Sequence, residues 1–96
     1  MAFRPFSYPK FNRIKKKLPE PLRLEIDDQV NRICENPTIG KLKTGDLKNV
    51  RIHKFTHLGQ LYLLAYTVDE TDKVVYLLAI GGHENFYRDL KRYLKT

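Results

Sequence analysis

The chain has 96 residues, 42% of them hydrophobic, a size and composition that fit one folded domain over residues 1–96. Its net charge of +7 and isoelectric point of about 9.6 favour a polyanionic partner: nucleic acid, an anionic membrane surface or an acidic protein. No apolar run approaches the roughly 18 residues of a membrane-spanning helix, and the basic N-terminus lacks the apolar core of a signal peptide. The single cysteine, Cys34, excludes an intrachain disulfide framework and fits a reducing cytoplasm.

The first third of the chain is predicted to form a short strand and two helices. Residues 2–6 favour the strand, and Pro9 suits the first turn of a helix. The apolar stripe of this helix is formed by Phe11, Ile14 and Leu18. A second helix is predicted over residues 21–35, where Asn36-Pro37 ends it. Its buried face comprises Leu22, Ile26, Val30 and Ile33. Because the break between them is short, the two helices should form an antiparallel hairpin.

The rest of the chain is predicted to be a loop, three strands and a closing helix. Residues 38–49 are polar, with Gly40 and Gly45 as turn points. Three runs favour strands: 50–55, 61–68 and 74–80. The hairpin turn at Asp69–Lys73 joins the second run to the third, and Gly81-Gly82 ends the third. The closing helix spans residues 84–95, with inward-facing Phe86, Leu90, Tyr93 and Leu94.

These elements predict an α+β fold. The N-terminal helical hairpin should pack on a twisted antiparallel sheet of three to four strands, with the C-terminal helix behind it.

Positive charge is concentrated in three segments of the sequence. Residues 1–18 carry six Lys or Arg side chains and no acid, and the closing helix adds four more. Both segments are equally well explained as solvated helix faces. The middle segment differs because its cations lie on a loop and a strand, where they could line a phosphate-binding surface. Its candidate phosphate ligands are Lys43, Lys48, Arg51 and Lys54.

Two histidines and one tyrosine are candidates for chemistry. Strand alternation places Arg51, His53 and Phe55 on one face and Val50, Ile52 and Lys54 on the other. A surface histidine is as good an explanation of His53 as a functional one. His83 follows Gly81-Gly82, and Tyr87 lies four residues on, so both could project from one helical face. Each of these two residues alone is explained by a structural role, but together they form the better site candidate.

Other chemistries find little support in the sequence. The three histidines and Cys34 lack a compact ligand spacing, so neither a metal nor any other cofactor is expected. Cys34 falls on the apolar stripe of the second predicted helix and should be buried and inert. His57, beside Leu58-Gly59, is best explained as a turn residue.

The ordered set of segments resembles the RelE/ParE toxin superfamily of type II toxin–antitoxin systems over almost the whole chain. The segments that carry the resemblance are Tyr8–Phe11, Gly40–Lys43, Leu63–Asp69 and Gly81–Tyr87. The last two are most similar to the YafQ-type branch, in which an apolar strand ends in tyrosine and a late Gly-x-His segment precedes an aromatic residue. No single segment is as specific as a zinc-ligand pattern.

The resemblance implies an endoribonuclease that cuts mRNA in the ribosomal A site. It implies a cognate acidic antitoxin as partner, in a toxin–antitoxin hetero-oligomer, and a cytoplasmic location without membrane attachment. His53, His83 and Tyr87 match the family's site pattern, and His53 with His83 would be the acid and base of RNA cleavage. The four cations of the middle segment match the family by region only. Because Arg51 and Lys54 are predicted on opposite faces of the strand, only one of these two would stabilise the charge of the phosphate.

One departure from the family leaves two rival functions open. Many RelE-type members have an arginine on the central strand just before its apolar run, whereas Gln60–Leu64 contains no cation. YafQ-type toxins also lack this arginine, which favours that branch over RelE proper, but the departure equally leaves open the ParE branch, whose members inhibit DNA gyrase and are not nucleases. The second rival is a relative that binds RNA or antitoxin without catalysis. The combination of His83 and Tyr87 favours the nuclease.

Overall fold

The computed structural model describes residues 2–47 and 49–95 as three helices and a five-stranded sheet. The helices are α1 (Pro9–Lys16), α2 (Glu20–Glu35) and α3 (Phe86–Lys95). The strands are β1 (Arg4–Ser7), β2 (Lys41–Leu42), β3 (Arg51–His57), β4 (Gln60–Asp69) and β5 (Val74–Gly82), in the spatial order β1-β5-β4-β3-β2. The α+β prediction is confirmed. None of the helices in the described residues is long and apolar enough to cross a membrane.

The sheet differs from the predicted one in strand number and direction. β3, β4 and β5 form the predicted antiparallel meander, but β1 joins β5 in parallel, so the sheet is mixed. β2 is a strand of two residues within the segment predicted to be a loop, and it pairs with the start of β3. Gly45 adopts a positive φ of 72°, as a turn glycine does, whereas Gly40 has an extended backbone.

Two hydrophobic clusters cover opposite faces of the sheet. One contains the apolar stripes of α1 and α2, packed on Phe55, Leu64, Tyr66, Val75, Leu77 and Ile80. The other contains Phe86 and Leu90 of α3, packed on Ile52, Leu63, Ala65, Leu78 and Ala79. We call these two sides the hairpin face and the α3 face. Side chains alternate between the two faces along β3 and β4. On β5 the consecutive residues Leu78 and Ala79 both lie on the α3 face, at a register irregularity in the pairing with β4.

The helical hairpin has the predicted antiparallel direction. Lys15, near the end of α1, forms an ion pair with Asp27 of α2. Phe11, one turn before Lys15 in α1, lines a small cavity together with Val30 and Asn31, which lie one turn after Asp27 in α2. The apolar positions predicted for α2 are all buried, together with Cys34. Of the positions predicted to face inward on α3, Leu94 is the exception, with 40% of its surface exposed.

Candidate functional site

Lys54 projects from the α3 face of the sheet. Its register partner on β4 is Leu63, and the partner of Leu63 on β5 is Gly81, so these three residues form one row across the sheet. Leu63 is fully buried in the cluster beneath α3, and Phe86 lies next to Gly81. The exposed side chain of Lys54 therefore begins at the edge of the surface that α3 covers.

β2 brings two more lysines to the same face. Lys41 pairs with Ile52, and the backbone N–H of Lys43 donates to the carbonyl of Val50 at 2.9 Å. Residues opposite one another in an antiparallel pair point to the same side, and both Ile52 and Val50 belong to the α3-face cluster. A shallow depression of about 380 Å³ is lined by Ile39, Lys41, Lys43, Ile52, His53 and Lys54. We call it the lysine depression.

Tyr87 connects the lysine depression to α3. The ammonium group of Lys43 lies 5.0 Å from the centre of the Tyr87 ring, within cation–π range. The same ring meets Phe86 edge-on at 5.8 Å, and it packs against the cluster beneath α3. These contacts hold a half-buried aromatic ring beside a lysine, an arrangement that can stack a nucleobase and bind its phosphate.

His83 is exposed and lies in the connection between β5 and α3. It follows Gly82, two residues beyond the row that contains Lys54. α3 begins only at Phe86, and Asn85 before it has a positive φ of 62°. The prediction that His83 and Tyr87 project from one helical face is therefore wrong, because His83 precedes the helix. Both residues nevertheless lie close to the start of α3.

His53 occupies the hairpin face, opposite to Lys54. Its side chain is only 8% exposed, and Nε2 lies 2.7 Å from the side-chain oxygen of Gln29 on α2. Since that oxygen can only accept, Nε2 donates the proton in this hydrogen bond. Burial lowers the pKa of His53 below its ordinary value, and the positive charge of Arg32 lowers that pKa further. Although His53 is among the residues that line the lysine depression, its ring is bound to Gln29 on the hairpin face, so the structure does not bring His53 and His83 together as an acid–base pair.

Arg51 shares the hairpin face with His53. Its guanidinium donates to the carbonyl oxygen of Gly40 at 2.8 Å. Of Arg51 and Lys54, the structure thus places Lys54 with the other lysines and gives Arg51 a backbone partner. Lys48 lies outside the described residues, so its predicted phosphate contact stays a prediction.

Gly40 has a role that turn chemistry did not predict. A Cβ atom at this position would lie 2.6 Å from the hydroxyl oxygen of Tyr66, closer than real contacts allow. The buried Tyr66 hydroxyl accepts from the Gly40 N–H at 2.8 Å and donates to the carbonyl of Pro37 at 2.7 Å. Burial raises the pKa of Tyr66, although the hydrogen bond from Gly40 and the charge of Arg51 oppose this. These bonds fix the backbone that leads into β2 and its lysines.

Cys34 has the buried environment that its place on the helix predicted, with 5% of its surface exposed. Burial raises the pKa of its thiol, and Glu35 raises it further, so the reactive thiolate is disfavoured. Across residues 2–47 and 49–95, no group of three or more His, Cys, Asp or Glu side chains is arranged to hold a metal ion.

A protein-family model matches residues 6–91 of the chain, and it describes a ParE-like toxin of type II bacterial toxin–antitoxin systems. The chain belongs to this family. It is a toxin of a type II toxin–antitoxin system of the RelE/ParE kind, as the sequence resemblance implied. No curated protein sequence matches the toxin.

Solved structures confirm the RelE-like fold of the toxin. A doubly substituted mutant of E. coli toxin RelE in the free state is 20% identical, with a TM-score of 0.77 over 99% of this chain and 98% of that one. The RelBE2 toxin–antitoxin complex from Mycobacterium tuberculosis gives 18% identity and a TM-score of 0.73 over 86% and 100% of the chains. The intact RelBE toxin–antitoxin complex of E. coli gives 22% identity and a TM-score of 0.71 over 86% of this chain and 99% of that one.

The predicted site residues of this toxin thus separate into two sets. Lys43, Lys54 and Tyr87 lie on the α3 face, with His83 at its border. Arg51 and His53 lie on the hairpin face and bind groups of the protein itself. Lys41, which sequence reasoning did not select, joins the first set. Its place was hidden because β2 is too short to show an alternating pattern.

Proposed function

We propose that the toxin is a metal-independent endoribonuclease that cuts mRNA on the ribosome and so inhibits translation. The observation that supports this proposal is the α3 face itself. It carries three lysines and a ring within cation–π range of one of them, and an exposed histidine lies in the connection that leads into α3. Cations and a planar ring bind RNA, and histidine has a reference pKa of about 6.5, which suits proton transfer near neutral pH.

In the proposed reaction the ribose 2′-oxygen attacks the adjacent phosphorus. The bond between the 2′-oxygen and phosphorus forms as the bond to the 5′-oxygen breaks, so one proton must leave the nucleophile and one must reach the leaving oxygen. His83 performs one of these transfers. Lys54 and Lys43 bind the phosphate and stabilise its growing charge, and Tyr87 stacks on a base. With His53 bound to Gln29, the second transfer falls to a ribosomal group or to water, which explains a need for the ribosome.

The partner that we propose is a cognate acidic antitoxin. Two of the similar solved structures are toxin–antitoxin complexes, from E. coli and M. tuberculosis. The toxin's net charge of +7 complements an acidic segment, and bound antitoxin would add stability to a domain of only 96 residues. We infer a hetero-oligomer of toxin and antitoxin in the resting cell.

The alternative is a ParE-like inhibitor of DNA gyrase. The family description favours it, and β4 carries no Lys or Arg over Gln60–Asp69. Induction of the toxin in bacterial cells separates the two functions. The nuclease predicts new 5′ ends within coding sequences, seen by primer extension, before any change in DNA supercoiling. DNA damage with intact mRNA would instead show that the toxin inhibits DNA gyrase.

A further inference from the structure

Three aromatic rings form a cluster at the β1 side of the sheet. Phe6 is 49% exposed, and its ring meets those of Tyr8 and Tyr76 edge-on at 5.4 and 5.6 Å. Tyr8 and Tyr76 stack on each other at 5.9 Å. Tyr8 packs against the cluster beneath α3, whereas half of the Phe6 surface faces solvent. We call these rings the aromatic platform. Packing in the core does not explain why half of the Phe6 side chain in this platform is exposed to solvent.

The aromatic platform lies on the same face of the sheet as the lysine depression. Phe6 pairs with Tyr76, and Tyr76 pairs with Thr67 of β4. Thr67 is two residues from Ala65, which belongs to the α3-face cluster, and alternation gives both the same side. β1 and β2 are the two edges of the sheet, so Phe6 and Lys41 lie four strand spacings apart, about 19 Å at roughly 4.8 Å each, whereas Tyr76 on β5 and Lys54 on β3 lie two spacings apart.

The surroundings of the platform favour a nucleic acid as its ligand. Arg4 is exposed, two residues from Phe6 on the same strand, and therefore on the same face. Lys10 follows the platform residue Tyr8 by two positions, and its ammonium lies 4.1 Å from the centre of the Tyr93 ring of α3. Aromatic rings on an open sheet, flanked by cations, bind single-stranded RNA because unpaired bases stack on the rings while the cations neutralise phosphates.

We propose that the aromatic platform is a second RNA subsite, which stacks one or two unpaired bases of the strand whose phosphates pass the lysine depression. This proposal rests on the proposed function for the identity of the RNA. It extends that function, because a subsite two to four strand spacings from the lysines would hold nucleotides that flank the cleaved bond and do not react. Binding at the platform and cleavage at His83 are separate events and can be measured separately.

The test measures RNA affinity and contact without the ribosome. A fluorescent uridine-rich RNA is titrated into the His83→Ala protein, and 5-iodouridine in the same RNA is crosslinked by ultraviolet light and mapped by mass spectrometry. We expect crosslinks at Phe6 or Tyr76. Phe6→Ala combined with Tyr76→Ala should raise the Kd about tenfold or more, because each stacked base contributes substantially to binding. Phe6→Tyr, which keeps a ring, should retain affinity.

The matched control removes exposed leucines elsewhere. Leu24 on α2 is 58% exposed and Leu58 at the β3–β4 turn is 89% exposed, so Leu24→Ala with Leu58→Ala should leave the Kd unchanged. If the platform double variant fails to fold, Phe6→Leu decides: it keeps apolar bulk without a ring, and a raised Kd supports the proposal. Unchanged affinity in a folded platform variant, with crosslinks elsewhere, would overturn it.

Two further outcomes separate this proposal from its alternatives. A platform variant that binds RNA normally but loses its antitoxin would show a protein-docking surface, and the RNA subsite would be wrong. Wild-type toxin that crosslinks RNA at Phe6 yet leaves cellular mRNA intact would contradict the nuclease while supporting the platform. If the wild-type toxin cleaves cellular mRNA but the folded platform variant binds RNA with unchanged Kd, the nuclease is supported and the platform subsite is contradicted.

Discussion

The two histidines that the sequence offered as a pair have opposite environments. His53 is buried against Gln29 and stacks on Phe55 at 6.2 Å, and burial lowers its pKa. His83 is exposed in the connection before α3. A proton-transfer group must reach the substrate and change its charge near working pH. Of these two histidines, His83 has the accessibility that such a group needs, and His53 has the environment of a structural residue.

Replacement of His83 by alanine should therefore reduce mRNA cleavage by at least about 100-fold, because one proton transfer is lost. The thermal unfolding temperature should stay close to that of wild type, since the His83 side chain is exposed. The measurement is primer extension on translating ribosomes with purified toxin. His57→Ala, at the end of β3, is the matched control and should cleave normally. Full cleavage by a folded His83→Ala protein would remove His83 from the mechanism.

The buried His53 should make stability depend on pH. Its pKa in the folded protein is lower than the value of about 6.5 expected in the unfolded chain, so the unfolded chain takes up a proton first as pH falls. The contribution of the buried, uncharged His53 to the free energy of unfolding is therefore complete above the pKa of the unfolded chain and is lost as pH falls below that pKa. Urea unfolding between about pH 8 and about pH 5 should show a steeper loss in wild type than in His53→Gln, which cannot titrate. Parallel slopes would contradict this assignment.

The element that needs most support is β2, because two residues of pairing cannot hold a strand alone. Gly40 precedes it and is bound on both sides, by the Tyr66 hydroxyl at its N–H and by Arg51 at its carbonyl. Lys41 and Lys43 take their positions from this backbone. Arg51, predicted as a phosphate ligand, thus contributes to the lysine depression by anchoring the strand that carries two of its lysines.

Gly40→Ala should lower the free energy of unfolding by about 1–3 kcal/mol, because the added Cβ overpacks against Tyr66. Gly82→Ala is the matched control, since a Cβ at Gly82 meets nothing within 4 Å. Urea denaturation of both variants measures the difference. Equal stability of the two variants would show that the Tyr66 contact relaxes without cost.

Local pattern predicted the elements whose neighbours in space are also neighbours in sequence. The β3–β5 meander and the antiparallel helices follow from periodicity and short connections, and alternation along β3 correctly separated Arg51 from Lys54. The parallel pairing of Arg4 with Val74 joins residues far apart in the chain, and no local pattern encodes it. The start of α3 at Phe86 was also missed, because the predicted helix began at residue 84 whereas Asn85 takes a positive φ of 62°.

At the scale of the whole molecule, the two faces of the sheet have different tasks. The hairpin face is closed by α1 and α2, and its polar groups bind one another. The α3 face is covered by one helix of ten residues, and the lysine depression and the aromatic platform lie toward the two edges of the sheet. The same cations are therefore open to any polyanion, so RNA and an acidic antitoxin should compete for them.

This competition predicts a salt-dependent antitoxin association rate. Attraction between exposed charges is screened beyond about 10 Å at 0.1 M salt, so the rate should fall steeply as salt rises. Combined Lys41→Ala, Lys43→Ala and Lys54→Ala should slow association, flatten its salt dependence and weaken RNA cleavage together. The control removes three exposed cations of the α1 segment, with Arg13→Ala, Lys16→Ala and Lys17→Ala, and changes the net charge equally. Stopped-flow association across a salt series compares the two variants. If both slow association equally, net charge alone steers the antitoxin, whereas loss of cleavage with unchanged association would show that RNA and antitoxin use separate surfaces.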